Sequence, residues 1–393
     1  MTDTLKRQEL LSRIERLHAL LKGAQSTTFA AFIADKVNQY YFTGTLQDGL
    51  FVLLSTGDYV FFVRNSHERA LAESPLPAEK ILPMASYKDI AAVIGGDLGV
   101  IFLESEVVTH AMLGRLSKYF NLDDVKALDR FILAVRAVKS ESELAIMREA
   151  GRLHAVLLEE KIPALMRAGM NEAEFTADIY SAMLALGHHG VSRFSMFQMH
   201  MVIGQLGFGE NSLYPTNFDG AGGMRGLCPA VPSVGDRSRT LRKGDLVFVD
   251  VGFGIDGYHT DRTQIYSFAA EPSAEAKAAH SRCLQVQKSV AAMLKPGAIP
   301  AEIYTAVVSE GFENRNVKFL GHGVGLYVDE FPVIASGFTA PLEANMTIAL
   351  EPKIGIEGGK SIGLVGGEDT YVVTPSGGEC LTGGEKPIMV VDS

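Results

Sequence analysis

The chain has 393 residues, of which 47% are hydrophobic and 21% charged, enough apolar material to fill the cores of two or more domains. Its net charge of -10 at pH 7 excludes nucleic acid as the main partner, because a phosphate-binding face needs an excess of Lys and Arg. A peptide or small-molecule substrate fits this balance.

The opening segment, Met1 to Lys22, carries charges throughout and has no uninterrupted apolar core. It reads as an amphipathic helix rather than a signal peptide, which predicts a cytoplasmic protein. From about Thr27 to Leu128, short apolar runs (TFAAFIAD, GLFVLLST, DYVFFVRN, VIFLES) alternate with helical stretches such as HERALAES, the pattern of an α/β domain. Ile90 to Leu103 is the most apolar of these stretches. Asp97 and glycines 95, 96 and 99 interrupt it, so it is too short to span a bilayer and reads as buried strand. Cys228, Cys283 and Cys380 lie far apart without CxxC spacing and read as ordinary thiols of a reducing compartment.

A second organisation starts near Ala137, so the expected boundaries are residues 1–134 and 135–393. Ser140 and Glu143 have capping-box spacing ahead of the amphipathic stretch ELAIMREAGRLHAVLLEEKIPALMRA. Further helices are expected after Asn171 and Glu174, after Ser273 and after Pro300. The segments around Arg167-Ala-Gly169 and Lys295-Pro-Gly297 share a basic residue, a Gly and a later Ala-Glu pair at one constant offset of 128 residues, which points to an internal duplication.

The segment LVFVDVGFGIDGYHTDRTQIYSF contains Gly252, Gly254 and Gly257 in GxGxxG spacing. A dinucleotide site requires a helix after those glycines, whereas Tyr258 to Phe268 alternates like a strand, so a hairpin is predicted instead. A turn centred between Ile255 and Asp256 places Asp250 directly opposite Asp261. Two carboxylates facing each other across a ladder repel unless a cation lies between them. Near the C-terminus, Glu351 and Glu368 flank Gly358, Gly359 and Lys360 and are expected to meet across a second hairpin in the same way. Between the hairpins, His322 is pinned by Gly321 and Gly323. Four carboxylates and one imidazole carry a charge of about -4, which matches two divalent ions, and the oxygen-rich set suits manganese, cobalt, iron or zinc.

At these five positions the chain resembles the family that includes Xaa-Pro aminopeptidase, Xaa-Pro dipeptidase (prolidase), methionine aminopeptidase and creatinase. Asn38-Gln-Tyr-Tyr-Phe-Thr-Gly44 and the stretch from Val138 to Glu149 extend the resemblance over nearly the whole chain. It implies a creatinase-like N-terminal α/β domain followed by a pseudo-two-fold "pita-bread" catalytic domain, an α/β (α+β) protein overall, and a homodimer. It also implies roles: Asp250 and Glu368 as shared ligands, Asp261 a ligand of one ion, His322 of the other, and Glu351 both ligand and general base. Thr263 matches the family's threonine that hydrogen-bonds the ligands. Proline-specific members carry three further histidines, and their positions here are Thr216, Lys318 and Asp329. Lys318 and Asp329 are complementary enough to pair, and His259 stands on the Asp261 face of its strand as a substitute for a missing histidine.

The activity so implied is a dinuclear metallopeptidase of the Xaa-Pro type, with a metal-bridging hydroxide. Two alternatives stay open: the same metal fold acting on a non-peptide substrate, and a non-catalytic peptide-binding or scaffold protein.

Overall fold

The computed structural model describes residues 3–196, 199 and 201–392. It divides into two compact units, Met1–Arg136 and Ala137–Ser393. No helix among the described residues is long and apolar enough to cross a membrane.

The first unit opens with α1 (Asp3–Ala24), which buries Leu10, Ile14, Leu17 and Leu21 at helical spacing. Its sheet has six strands: β1 (Phe29–Ile33), β2 (Gly49–Leu54), β3 (Tyr59–Val63), β4 (Ile81–Pro83), β5 (Val100–Leu103) and β6 (Val125–Ala127). They lie in the order β4-β3-β2-β1-β5-β6, antiparallel across β1-β2-β3 and parallel elsewhere. The helices between them are α2 (Lys36–Thr43), α3 (His67–Glu73), α4 (Tyr87–Ile94) and α5 (His110–Leu116), and α6 (Asp129–Ala137) follows the last strand. The segment expected as a strand from Ile90 to Leu103 is therefore divided. Ser86 and Asp89 form a capping box that starts α4, and only Val100–Leu103 is strand. The local cap outweighs the apolar run that suggests a strand. Asn38 to Thr43 lies in α2, where Gln39 donates to the carbonyls of Ile33, Ala34 and Gly49 and ties the helix to β1 and β2.

In the second unit, Ser140 and Glu143 cap α7 (Glu141–Val156), which passes through a π-turn into α8 (Ile162–Leu165). Asn171 and Glu174 cap α9 (Glu172–Ala185), Ser273 caps α10 (Ala274–Met293), and α11 (Pro300–Ser309) begins with Pro. Two sheets carry the strands. One holds β7 (Gly204–Phe208), β8 (Leu246–Ile255), β9 (Tyr258–Phe268) and, at its other edge, β17 (Met389–Val391). The second has the order β11-β10-β12-β15-β16, from β10 (Phe319–Gly323), β11 (Glu330–Ala335), β12 (Thr347–Leu350), β15 (Asp369–Thr374) and β16 (Gly377–Cys380). A short ladder of β13 (Lys353–Ile356) and β14 (Gly363–Gly366) continues the β12-β15 pair.

Two of the unit's buried clusters fill its two halves. Phe175, Ile179, Phe208, Val249 and Tyr266 belong to one, and Val290, Ile303, Leu320, Ile348 and Val373 to the other. The duplication is visible in the backbone as well: α9 and α11 start 128 residues apart, each preceded by a glycine with positive φ, Gly169 at 80° and Gly297 at 89°. This is the pseudo-two-fold arrangement the resemblance implies.

Candidate metal centre

Two hairpins and one short strand deliver the site. In the β8-β9 hairpin the central residues are Asp256 (φ 48°) and Gly257 (φ 89°), a two-residue turn that needs positive φ at both positions and so selects Asp-Gly. The turn lies one residue later than expected, and the register moves with it. Asp250 pairs with Thr263 and Asp261 with Gly252, so the two aspartates are diagonal neighbours on one face instead of directly opposed.

The second hairpin keeps the expected register. Leu350 pairs with Asp369, and Lys353 pairs with Gly366, one continuous alignment interrupted only where Glu351 and Glu368 stand. That break frees both glutamates to turn inward, and both are buried. His322 enters from β10, where it pairs with Ala349 of β12. Its Nδ1 contacts the Gly323 carbonyl at 3.1 Å, which leaves Nε2 facing the carboxylates: 3.4 Å from Glu351, 3.8 Å from Glu368 and 3.9 Å from Asp261.

Within this cluster two ligand groups share Glu368. One is Asp261, His322 and Glu368; the other is Asp250, Glu351 and Glu368. Asp261 and His322 thus converge on one point, whereas the family likeness assigns them to different ions. Thr263 Oγ1 donates to Glu368 Oε2 at 2.9 Å.

A sixth member has no counterpart among the residues expected from sequence. Lys353 is fully buried, and its Nζ donates to Asp250 Oδ2 at 2.7 Å, Glu351 Oε2 at 2.9 Å and Glu368 Oε2 at 3.0 Å. Residues two apart on a strand share a face, so its spacing from Glu351 is the signal the sequence offers.

The electrostatics show a cluster short of positive charge. Burial and the neighbouring Asp250 push Asp261 up to about 8. Burial and Asp261 carry Glu368 well above the usual carboxylate range. Burial also acts to raise Glu351, but Lys353 and His322 outweigh it and draw that carboxyl down to about 2. Glu368 Oε1, buried and facing His322, has no hydrogen-bond partner among the described residues. A buried carboxylate oxygen without a donor is costly unless a cation meets it, so this half of the cluster fits a divalent ion.

The cluster opens into a cleft. Phe194, Met201 and Phe218 give it an apolar wall, and Gln205, Asp219 and Asp329 give it polar groups. Gln205 is opposite Asp250 in the β7-β8 ladder, and both its amide atoms are buried and without a partner among the described residues. It too is absent from the residues expected from sequence. Asp329 lies on the cleft wall, where its carboxylate accepts from Ser195 N and Oγ, both at 2.8 Å. It forms no ion pair with Lys318 among the described residues; Lys318 is exposed, and the expected pairing is not made. Thr216 is outside the cleft wall, its hydroxyl meeting the Phe218 N–H at 3.5 Å. His259 is buried beside His189, 3.2 Å between their Nε2 atoms, with Nδ1 3.1 Å from the Gly325 carbonyl. Burial lowers it to about 3, so it is a neutral packing residue away from the cleft.

The model of metallopeptidase family M24 matches residues 145–375, and that of the creatinase/prolidase N-terminal domain matches residues 13–138. An uncharacterized peptidase of Staphylococcus aureus is 28% identical over 386 residues, spanning 96% of this chain and 100% of its own. Among solved structures, the prolidase from Pyrococcus horikoshii superposes with a TM-score of 0.77 at 22% identity, covering 96% of this chain and 100% of that one. The Xaa-Pro dipeptidase from Bacillus anthracis gives 0.77 at 21% identity, covering 97% and 99%. At that level of identity these structures share the fold.

Proposed function

Because the chain belongs to metallopeptidase family M24, we propose that it is a metal-dependent aminopeptidase or dipeptidase of the Xaa-Pro class, working at the cluster of Asp250, Asp261, His322, Glu351 and Glu368. The observation that carries this reading is the buried Glu368 Oε1, without a hydrogen-bond partner among the described residues, beside His322 and Asp261 at the foot of a cleft with polar and apolar walls. A divalent ion bound there would supply a Lewis acid and lower the pKa of a bound water toward neutrality.

The chain's own residues do the rest. Asp261, His322 and Glu368 would hold the ion, and Thr263 fixes the orientation of Glu368. Glu351 is the general base. Lys353 holds its Oε2 and keeps it ionised, while Oε1, 3.4 Å from His322 Nε2, would take a proton from the attacking water. Gln205 hydrogen-bonds the substrate's peptide group, and Asp329 receives its free α-ammonium. The apolar wall of Phe194, Met201 and Phe218 takes a proline ring or other apolar side chain.

A second reading keeps the centre and changes the substrate to a non-peptide one. It is favoured by one observation: of the three positions where proline-specific relatives carry histidines, only Asp329 lies on the cleft wall.

The test is hydrolysis of Xaa-Pro dipeptides, longer Xaa-Pro peptides and proline-free controls by metal-stripped protein resupplied with manganese, cobalt or zinc. Cleavage confined to Xaa-Pro substrates supports the first reading. Metal bound with no peptide cleaved transfers support to the second.

A further inference from the structure

Lys353 is the member of the centre that a metal-ligand set has no use for. An ammonium has three N–H donors, and here each meets one carboxylate oxygen, on Asp250, Glu351 and Glu368. Its charge and its hydrogen bonds are both fully engaged. These three carboxylates are, residue for residue, the second of the two ligand groups in the cluster.

We propose, building on the metal-centre reading above, that the Lys353 ammonium takes the place of one of two cations, so that the centre holds a single divalent ion, at Asp261, His322 and Glu368. Divalent ions bind carboxylate oxygens at about 2.0–2.2 Å, so an ion in the second group would sit where Nζ already gathers the same three oxygens. The lysine has nowhere to withdraw. Its side chain is fully buried, with Nζ 5.6 Å from the centre of the Phe248 ring. Its backbone is held too, since its N–H donates to Asn314 Oδ1 at 2.8 Å and the residue pairs with Gly366. On the other side of Glu368 the situation is reversed: Oε1 is buried without a hydrogen-bond partner among the described residues, and His322 Nε2 is turned toward it at 3.8 Å. One glutamate therefore has one oxygen satisfied by Lys353 and Thr263 and the other left for an ion.

Lys353 becomes a positioning residue in this arrangement. It holds Asp250, Glu351 and Glu368 as an ion would, with a fixed single positive charge instead of two.

The experiment counts ions and their coupling. Metal-stripped full-length protein is titrated with manganese chloride by calorimetry, and the loaded protein is examined by electron paramagnetic resonance. Wild type is compared with Lys353→Met, which keeps the length and removes the charge, and with Lys353→Arg, which keeps the charge. The expected result is one ion per chain with the spectrum of an isolated ion in wild type and Lys353→Arg. Lys353→Met is expected to bind two, with the spin-coupled spectrum of ions about 3.5–4 Å apart. Two coupled ions in wild type overturn the proposal and leave the metal-centre reading standing, whereas no bound ion in wild type overturns both. A folded Lys353→Met that binds one isolated ion overturns the role given to Lys353. Should that variant not fold, the wild-type count decides: one isolated ion supports the proposal and two coupled ions overturn it.

Discussion

Thr263 and Glu368 are joined twice: Thr263 Oγ1 donates to Glu368 Oε2 at 2.9 Å, and the Thr263 backbone N–H donates to the Glu368 carbonyl at 3.3 Å. The contact links the two hairpins of the candidate metal centre, since Thr263 is on β9 and Glu368 stands just before β15. The hydroxyl fixes one carboxylate oxygen and so determines where the other one points. Thr263→Val keeps the shape and the backbone bond and removes the hydroxyl bond. Metal affinity is expected to fall by about 10–100-fold, the usual cost of losing a group that orients a ligand. Calorimetric titration checks this, and unchanged affinity in a folded variant would refute the role.

Glu351→Gln removes the proposed general base while keeping the size of the side chain. The turnover number is expected to fall by about 100- to 10,000-fold with KM little changed. Steady-state kinetics at matched metal content is the measurement. A loss that disappears once excess metal is supplied would make Glu351 a ligand only.

In the proposed mechanism Asp329 and Gln205 serve binding and take no proton. Asp329→Asn and Gln205→Ala are each expected to raise KM about 10-fold or more, in keeping with the loss of a hydrogen bond in a buried site, while the turnover number changes less. For Asp329→Asn the effect should vanish on substrates with a blocked N-terminus. Equal effects on free and blocked substrates would remove Asp329 from ammonium recognition.

In the first unit, Glu104 is buried and accepts from Asp35 N at 2.8 Å and from Asn38 Nδ2 at 2.7 Å. Burial outweighs those donors and pushes its carboxyl from 4.5 up to about 7. Between about pH 4.5 and 7 the folded chain keeps a proton that the unfolded chain has released, so the stability from this group falls as pH rises through that window. The loss is at most about 3 kcal/mol. Urea unfolding of wild type and Glu104→Gln at several pH values tests it; the wild-type curve should drop relative to the variant between pH 5 and 8, and parallel curves would refute it.

Much of this site is legible in the amino-acid sequence alone, for identifiable reasons. The four carboxylates and His322 stand out because acidic residues inside apolar strands conflict with burial unless something cationic meets them. The second hairpin register is legible because Glu351 and Glu368 stand equally far from a turn centred on Gly359 and Lys360. In the first, the turn lies one residue later than expected and the pairing shifts by two, because positive φ is tolerated by Asp256 and Gly257, and not by the β-branched Ile255. Lys353 is hidden in the sequence because a lysine in a strand is ordinarily solvated, and only the fold shows that its neighbours are three carboxylates. Ile90 to Ile94 is helix where a strand is expected because hydrophobicity alone does not distinguish a short buried helix from a strand, and the Ser86–Asp89 cap decides it.

The most direct test of the metal-dependent reading is the rate of Xaa-Pro dipeptide cleavage as metal-stripped protein is titrated with manganese. Cleavage should be absent without metal and rise to a plateau at about one ion per chain, in step with the bound ion. Cleavage that survives stripping, or a bound ion with no cleavage of any peptide, would contradict a metallopeptidase working at Asp261, His322 and Glu368.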